Sequence, residues 1–466
     1  MSNQGTKAMP KERSLHPMGH LVDFKTNLLP FLRQMVAKHP EIVQLRGGPR
    51  KIFLVHHPDL VREILVKQVK NFPKARFFSS ILSKGLGNGI ITSAGNFHSS
   101  QRRMMQPAFR AKRLNTYAET MTRYTADMLD EWQHGQEVDI HNEMMRLTMF
   151  IVSKTLFNAD KETMAAEAER AANAISVNQE LMNREFWLGF DIPMWIPNKA
   201  NRTFRQSTET LSEILTPIIE ARRQGKDDVG DLLSILVNAE DDEGEPMSDE
   251  QIFDEVNNLF SAGHETTANA LTWTFYMLAQ HPDIAADVAD ELDQVLQGRT
   301  PTIDDLARLP LLEMVLKESM RMYPAIWSLG TRETQQTTQV GGYTIPKNSL
   351  ILIPVFSLHR QEAFYPDPEK FDPTRFDPEF GDEIPRYAYL PFGAGPRVCI
   401  GGQFAMIEAC LILAQTLQKF RIELMEGQTV TPKPLVTMGP ADGLHVRLVE
   451  RDAGTNQFQP FEEYVN

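Results

Sequence analysis

The sequence predicts a mainly α-helical protein with small β-sheets, an α+β fold. Helical periodicity runs from about Arg113 to Val237, and a Pro/Trp-rich connection at residues 191–198 breaks it. A second helical stretch spans residues 248–280, and its centre has apolar or small residues on nearly every face, so we expect it to be buried. Strand-like segments are short and lie on either side of these helices.

The N-terminal part combines a tail, a helix and a hairpin. Residues 1–15 are predicted to be a flexible tail, and an apolar-patterned helix follows near Leu28–Lys38. Two alternating segments then flank residues 47–49, a Gly-Gly-Pro turn that favours a hairpin. Since no internal repeat or credible linker interrupts the rest, we expect residues 16–466 to form a single domain.

The long central helix has a defined start and end. Ser248 and Gln251 have the Ser-x-x-Gln spacing of a capping box, and His281-Pro282 ends the helix after Gln280. Beyond it the sequence predicts a helix after Pro310, strands between residues 332 and 354, an irregular stretch, a glycine-rich loop at 391–401, a helix at 402–420 and C-terminal strands.

Composition and charge exclude several classes of protein. The 466 residues carry a formal net charge of −13, which argues against binding to nucleic acid. Two cysteines cannot form a disulfide framework and indicate a reducing compartment. The sequence contains neither an apolar run of transmembrane length nor an N-terminal signal peptide, so we expect a cytoplasmic protein without a transmembrane anchor.

One of the two cysteines, Cys399, lies in the loop FGAGPRVCIGGQ. The loop lacks the Lys-Ser/Thr ending of a phosphate loop, and no triad signature supports a nucleophilic cysteine. Its glycines allow unusual backbone dihedral angles and the close approach of a flat group. Backbone N–H groups and a following helix N-terminus would stabilise a thiolate, so the loop favours a thiolate metal ligand. Cys410, in an apolar helix, is interpreted as a buried hydrophobic residue.

The loop resembles the haem-binding signature F-x-x-G-x-R-x-C-x-G of the cytochrome P-450 monooxygenases. The resemblance implies the cytochrome P-450 fold, with haem b between the long central helix and the helix that follows the cysteine loop. It also implies that Cys399 is the iron ligand. Around the haem it places Phe392, Gly393, Arg397 and Gly401 of the same loop.

Two further motifs agree with this family. Glu318 and Arg321 form its E-x-x-R on one helical face, and Arg375 matches its P-x-R-F segment, which implies a structural Glu-Arg-Arg cluster. In the central helix, A-G-H-E-T-T resembles the oxygen-activation motif, with Ala262 beside the haem.

The same motif implies the catalytic residues. By resemblance, Thr266 hydrogen-bonds iron-bound oxygen or a nearby water, and Glu265 delivers protons from solvent. The adjacent His264 points about 100° away from Glu265 around the helix, so we interpret it as a packing or pocket-rim residue.

Haem carries two propionates, which need cationic or hydrogen-bonding partners. His98 and Arg102 are four residues apart, on one helical face, and resemble the family's propionate pair. Arg332 and Arg397 complete the set that the resemblance implies. The family more often has tryptophan where His98 stands.

The implied reaction inserts one oxygen atom of O2 into a C–H or double bond of an apolar substrate such as a fatty acid, terpenoid or steroid. The alternatives are a non-catalytic haem-thiolate sensor and a peroxide-driven peroxygenase, and the Glu265-Thr266 pair disfavours both. No flavin or iron–sulfur segment is present, so electrons would come from a ferredoxin with its reductase or from a flavodoxin-type donor.

The basic stretch 102–113 is a candidate docking site for that acidic donor, or simply a solvated helix. We expect the substrate pocket to be lined by residues 72–92, 177–190 and 326–329, together with Phe260, Ala262 and the turn near Met438. Arg76 could meet a substrate carboxylate, but we interpret it as a surface residue.

Overall fold

A computed structural model of the chain describes residues 7–188, 191–225, 230–240, 244–379, 381 and 383–451. Within these residues the α-helices are α1 (Leu21–Thr26), α2 (Leu28–Lys38), α3 (Pro58–Arg62), α4 (Arg76–Leu86), α5 (Gly95–Met105), α6 (Ala111–Glu131), α7 (Ile140–Phe157), α8 (Lys161–Ala165), α9 (Ala168–Leu188), α10 (Lys199–Gln224), α11 (Leu232–Val237), α12 (Asp249–Gln280), α13 (Pro282–Leu296), α14 (Pro310–Met322), α15 (Val355–Leu358) and α16 (Gly402–Lys419). The β-strands are β1 (Ile42–Gly47), β2 (Arg50–Val55), β3 (Glu137–Asp139), β4 (Leu329–Glu333), β5 (Thr338–Val340), β6 (Tyr343–Ile345), β7 (Leu350–Ile353), β8 (Phe420–Leu424), β9 (Pro432–Pro434), β10 (Met438–Pro440) and β11 (His445–Glu450). The predicted mainly α class with small sheets is confirmed.

Helix α12 is the predicted long central helix. The Ser248 side chain accepts a hydrogen bond from the Gln251 N–H at 3.2 Å, and the Gln251 side chain accepts one from the Ser248 N–H at 3.0 Å, so the capping box is formed. The helix runs for 32 residues and ends before Pro282. Helices α7, α14 and α16 pack against it, and they bury most of its surface.

The β-structure is divided among small sheets. The predicted hairpin pairs β1 with β2 in antiparallel register, and β2 continues into a sheet of order β1-β2-β7-β4. The C-terminal strands β8 and β11 pair with each other, and β11 also pairs with β3. Strand β3 is not predicted by the sequence pattern, because its three residues between two helices are too few for an alternating pattern.

The N-terminal segment lies along the first sheet. Residues 1–6 are outside the described part of the chain, whereas the Lys7 N–H donates to the Gly342 carbonyl at 2.9 Å and the Glu12 N–H to the Gln44 carbonyl at 3.1 Å. Lys7 also forms an ion pair with Glu41 at 2.9 Å. Much of the segment predicted to be a flexible tail is therefore held by backbone pairing from residue 7 onward.

The largest hydrophobic core is helical and is built mainly from α6, α7, α12 and α16, with further buried residues from α13 and α14. A second core lies under the first sheet. Among the described residues, no helix is both long and apolar enough to cross a membrane. A cavity lies between α12 and the segment that leads into α16.

Candidate active site

The cavity has a volume of about 370 Å³ and is mainly apolar. Helix α12 forms one wall with residues that include Ala262 and Thr266, and residues 391–409 form the opposite wall. The position matches the space predicted between the central helix and the helix that follows the cysteine loop. Its volume lies within the range of about 300–1,000 Å³ that is usual for ligand sites.

The cysteine loop is held by its own backbone. The Cys399 N–H donates to the Phe392 carbonyl at 2.9 Å, which closes the loop. Gly393 and Gly395 both have φ of 72°, in the left-handed region that favours glycine. A β-carbon at Gly395 would also overlap the Leu65 carbonyl oxygen, so the residue packs closely as well as turning the chain.

The loop directs the Cys399 thiol into the cavity. The side chain is exposed to the cavity space, although protein surrounds the site, and burial raises the pKa of the thiol. The Gly401 N–H and the charge of Arg102 act in the opposite direction and favour the thiolate. Cys410 is buried in α16, and burial raises its pKa to about 12, which agrees with the predicted packing role.

Four of the sequence-predicted residues, His98, Arg102, Arg332 and Arg397, line one end of the same cavity. The Arg102 guanidinium donates to the Val398 carbonyl at 2.8 Å, and Arg397 donates to the Ser93 carbonyl at 2.5 Å. The structure thus gathers side chains from α5, β4 and the cysteine loop.

A fifth member, Lys74, was missed by the sequence analysis. Its backbone forms an isolated antiparallel bridge with Arg332, which makes the two residues cross-strand neighbours, and its ammonium group donates to the Ile91 carbonyl. No motif contains Lys74, and a lysine in a loop before a helix has no local signal that distinguishes it from a surface lysine. We call Lys74, His98, Arg102, Arg332 and Arg397 the cation cluster.

The cation cluster has no balancing negative charge. Among the described residues, no Asp or Glu lines the cavity, and Arg332 Nε and Arg397 Nη1 are buried without a hydrogen-bond partner. Burial lowers the pKa of Lys74 well below its usual value and those of Arg332 and Arg397 to about 10. Like charges that face each other at such a site destabilise the fold unless an anion joins them.

Glu265 and Thr266 are neighbours on α12, but their side chains have different surroundings. Thr266 lines the cavity and donates to the Ala262 carbonyl at 2.7 Å. The Glu265 carboxylate does not line the cavity, and it accepts hydrogen bonds from Gln179 of α9 and from Thr437. Burial raises its pKa. Glu265 is half-buried, and its bonds to Gln179 and Thr437 link it to α9 and to the segment before β10.

His264 packs away from the cavity, as predicted. Its ring is fully buried, the Nδ1 atom lies 2.7 Å from the Phe260 carbonyl oxygen, and burial lowers its pKa to about 4. The Phe260 ring lies against it at a centroid distance of 5.7 Å. Phe260 therefore belongs to the helical core and does not line the cavity, contrary to the prediction that it forms a pocket wall.

Glu318, Arg321 and Arg375 come together behind the cavity and form a cluster that we call the Glu-Arg-Arg cluster. Arg321 donates from Nε and Nη2 to the two Glu318 oxygens at 2.6 and 2.8 Å. Arg375 lies 3.5 Å from the same carboxylate. Arg321 also donates to the carbonyls of residues 359, 368 and 370, so the cluster ties α14 to the irregular stretch before the cysteine loop.

The remaining pocket walls agree in part with the expectation. Phe78, Leu82, Ile91 and Ile326 line the cavity as predicted, and Val436 takes the place expected for Met438. None of the described residues of 177–190 lines it, because α4 lies between α9 and the cavity; residues 189 and 190 are outside the described part of the chain. Arg76 is exposed and lies outside the lining, as the surface interpretation required.

Comparison with known proteins identifies the family. The family model described as cytochrome P450 matches residues 9–443. The chain belongs to the cytochrome P450 family. It is 37% identical to cyclooctatin synthase of Streptomyces melanosporofaciens, over 91% of this chain and 92% of that protein. It is 34% identical to cyclooctat-9-en-7-ol 5-monooxygenase of the same organism, over 89% of each chain.

A solved structure agrees with this P450 assignment. The retinoic-acid-bound cyanobacterial CYP120A1 superposes with a TM-score of 0.84 at 27% identity, covering 96% of this chain and 100% of the other. The predicted P450 fold is confirmed, and the chain is a haem-dependent monooxygenase. As such, this P450 uses O2, electrons from a redox partner and an apolar substrate.

Proposed function

We propose that this P450 holds haem b through Cys399 and hydroxylates uncharged terpenoids. The observation that carries the proposal is a free thiol in a mainly apolar cavity that the cation cluster also lines, with no Asp or Glu among the described lining residues. Haem, which carries two carboxylates and an iron that a thiolate can bind, would fit that combination. The chain contains no C-x-x-C-H sequence of the kind that attaches haem covalently, which favours haem b.

The cation cluster would hold the two propionates. The unpartnered Nε of Arg332 and Nη1 of Arg397 are donors that lack acceptors, and carboxylate oxygens satisfy such donors with charge-assisted hydrogen bonds. Phe392, Gly393 and Gly401 line the cavity near the thiol, and Ala262 lines it from α12. Gly393, Gly401 and Ala262 are small and leave room for a flat ring between the two walls.

Bound haem supplies the iron at which O2 is reduced and activated. Thr266 donates its own proton to the Ala262 carbonyl, so its oxygen lone pairs are available to accept a hydrogen bond from a group in the cavity. Glu265 lies next to it and holds a proton to higher pH than an exposed glutamate, because burial raises its pKa. The pair would deliver and orient protons beside the reacting oxygen.

The side chains near the substrate space favour an uncharged substrate. The polar groups there already bond to the protein: Thr267 donates to the Gly263 carbonyl at 3.3 Å, Ser328 to the Ile353 carbonyl at 3.2 Å and Asn258 to the Leu86 carbonyl at 2.6 Å. Among the described lining residues, all the cations belong to the cation cluster, which the propionates would occupy, so a fatty-acid carboxylate would lack a partner there. The relatives named for cyclooctatin and cyclooctat-9-en-7-ol support terpenoids as the substrate class.

A pair of cysteine variants tests the haem assignment. Cys399→Ser should abolish the thiolate-type absorption of the reduced carbonyl complex and product formation, since it removes the ligand sulfur. Cys410→Ser is the matched control, and it should keep the spectrum because Cys410 is buried in α16. An unchanged carbonyl spectrum in Cys399→Ser would refute the proposal.

A substrate panel tests the second half of the proposal. Cyclic terpene hydrocarbons and alcohols should shift the ferric haem absorption by displacing bound water, whereas fatty acids of similar size should bind at least about tenfold more weakly, the cost of an unpaired carboxylate. Tighter binding of fatty acids would contradict the substrate class without affecting the haem assignment.

For the electron donor we propose an acidic ferredoxin, with its reductase, or a flavodoxin that docks on the basic stretch 102–113. Arg102 of this stretch reaches the cysteine loop through the Val398 carbonyl, so the stretch lies beside the thiol side of the cavity. The rate at which the donor reduces the haem should fall with added salt and in the variant Arg110→Glu/Lys112→Glu. Lys199→Glu/Arg202→Glu on α10, with the same charge change, should reduce at the normal rate. Equal rates in both variants would exclude this docking site.

A further inference from the structure

His359 is a fully buried histidine directly after α15, and it does not line the cavity. Both of its ring nitrogens bond to backbone groups of other segments. The Nε2 atom accepts a hydrogen bond from the Leu390 N–H at 2.8 Å, and Nδ1 lies 3.3 Å from the Arg321 carbonyl oxygen. The ring therefore joins α14 to the segment that leads into the cysteine loop.

The two backbone partners fix the tautomer of the His359 ring. A carbonyl oxygen can only accept a hydrogen bond and an amide N–H can only donate one, so the proton is on Nδ1 and the lone pair of Nε2 faces Leu390. Burial, with the positive charges of Arg321 and Arg360, lowers the pKa of His359 to about 3. The ring is therefore neutral near pH 7 and serves there as a hydrogen-bond acceptor for Leu390.

The bonds on either side of His359 reach from the Glu-Arg-Arg cluster to the thiol. On one side, the Arg321 guanidinium also donates to the His359 carbonyl at 2.9 Å. On the other side, the Leu390 carbonyl accepts a hydrogen bond from the Gly393 N–H at 3.1 Å. Gly393, with φ of 72°, is the first left-handed residue of the loop that carries Cys399. A displacement of Leu390 would therefore be passed to the start of this loop.

We propose that His359 is a positioning residue that holds Leu390 and thereby sets the orientation of the Cys399 sulfur in the cavity. This inference rests on the proposed ligation of haem by Cys399. Leu390 is buried, so its N–H would have no acceptor if the ring nitrogen were removed. An unsatisfied buried N–H is costly, and the segment can relieve that cost only by moving. Such a movement would displace the thiol loop.

The carbonyl complex of reduced, haem-loaded protein tests the proposal by its absorption. His359→Phe keeps a ring but removes the acceptor, so the thiolate-type absorption should be lost on mild warming about tenfold faster than in the parent protein. His359→Gln offers a side-chain oxygen at a similar distance from the backbone, and it should restore most of the parent rate.

Tyr365→Phe is the matched control for His359→Phe. It removes a buried hydrogen bond of 3.0 Å from the Tyr365 hydroxyl to the Ala388 carbonyl, two residues before Leu390. Its loss of unfolding free energy in urea should be similar, whereas its rate of spectral change should stay within about twofold of the parent. In haem-free protein, Cys399 should react several-fold faster with a thiol reagent in His359→Phe and at the parent rate in Tyr365→Phe.

Two results would overturn the positioning role. One is an equal rate of spectral change in the parent and His359→Phe, and the other is an equal acceleration in Tyr365→Phe, because general destabilisation would then explain it. If His359→Phe does not fold, His359→Asn replaces it, since its side chain is too short to reach Leu390, and the same acceleration is expected. A parent protein without the thiolate-type absorption would instead refute the proposed function, which keeps the two failures distinct.

Discussion

Two buried charged clusters in this P450 differ in one respect. The Glu-Arg-Arg cluster contains both signs of charge, and Glu318 accepts hydrogen bonds from Arg321 and from the Asp372 N–H at 3.0 Å. The cation cluster contains only cations and His98, and two of its arginine nitrogens have no partner. A buried charge is costly unless it is paired, so the first cluster is complete within the protein and the second requires an anion from outside.

The difference separates a structural cluster from a binding site without reference to any motif. Both clusters are rich in arginine, and neither would be distinguished from the other by composition. Their hydrogen-bond partners distinguish them. The Glu-Arg-Arg cluster bonds to the irregular stretch before the cysteine loop, whereas the cation cluster faces the cavity. Substitutions in the two clusters should therefore affect different quantities.

The largest effect on folding is expected from Glu318→Gln. It leaves Arg321 and Arg375 buried without their counter-charge, which should lower the free energy of unfolding by about 3–5 kcal/mol. Urea unfolding measures this. Glu313→Gln is the control on the same helix, because its exposed ion pair with Lys317 is worth at most about 1 kcal/mol. Similar losses in both variants would mean that the Glu-Arg-Arg cluster has no special structural weight.

Arg332→Met should weaken haem binding without lowering the stability of the haem-free protein. In haem-free protein it removes an unbalanced buried cation, so the free energy of unfolding should stay the same or rise by about 1 kcal/mol. In the haem-loaded protein it would remove the proposed charge-assisted hydrogen bond to a propionate, so haem release should accelerate about tenfold or more. Transfer of haem to an acceptor protein measures that rate, with Lys51→Met, at an exposed position of β2, as control. The expectation would be contradicted if the variant were less stable without haem and released bound haem at the normal rate.

His98 gives the cation cluster a dependence on pH. Burial, together with the charges of Arg397 and Lys74, lowers its pKa to about 4 from a usual value near 6.5. The unfolded chain therefore binds more protons between these values, so the stability of haem-free protein is complete above about pH 6.5 and falls as the pH drops towards 4. His98→Asn should make that fall shallower in urea unfolding. An identical slope would show that the site does not hold His98 neutral.

The smallest effect is expected from Arg102→Met. The Arg102 guanidinium already donates to the Val398 carbonyl, whereas Arg332 Nε is buried without a partner. Loss of one further interaction with a propionate should accelerate haem release only a few-fold, about the worth of one ordinary hydrogen bond. The same transfer measurement applies, and a change as large as that of Arg332→Met would mean that burial does not rank the members of the cation cluster.

The cysteine loop, the E-x-x-R pair and the long helix could be predicted from the sequence because each rests on interactions within a few residues. The capping box joins residues three apart, and Glu318 meets Arg321 across one helical turn. The thiol loop closes from Cys399 to Phe392 in the same way. Local geometry of this kind is the same wherever the segment lies in the fold.

The sequence by itself determined the fold class, the central helix and the backbone of the thiol loop, since residue type and spacing specify local backbone structure. Only the tertiary structure decided that Lys74 stands opposite Arg332, and that Gln179 and Thr437 cover Glu265. Lys74 and Arg332 are 258 residues apart in the sequence. Glu265 is 86 residues from Gln179 and 172 residues from Thr437. Long-range pairing depends on how whole elements pack, and no local pattern in the sequence encodes it.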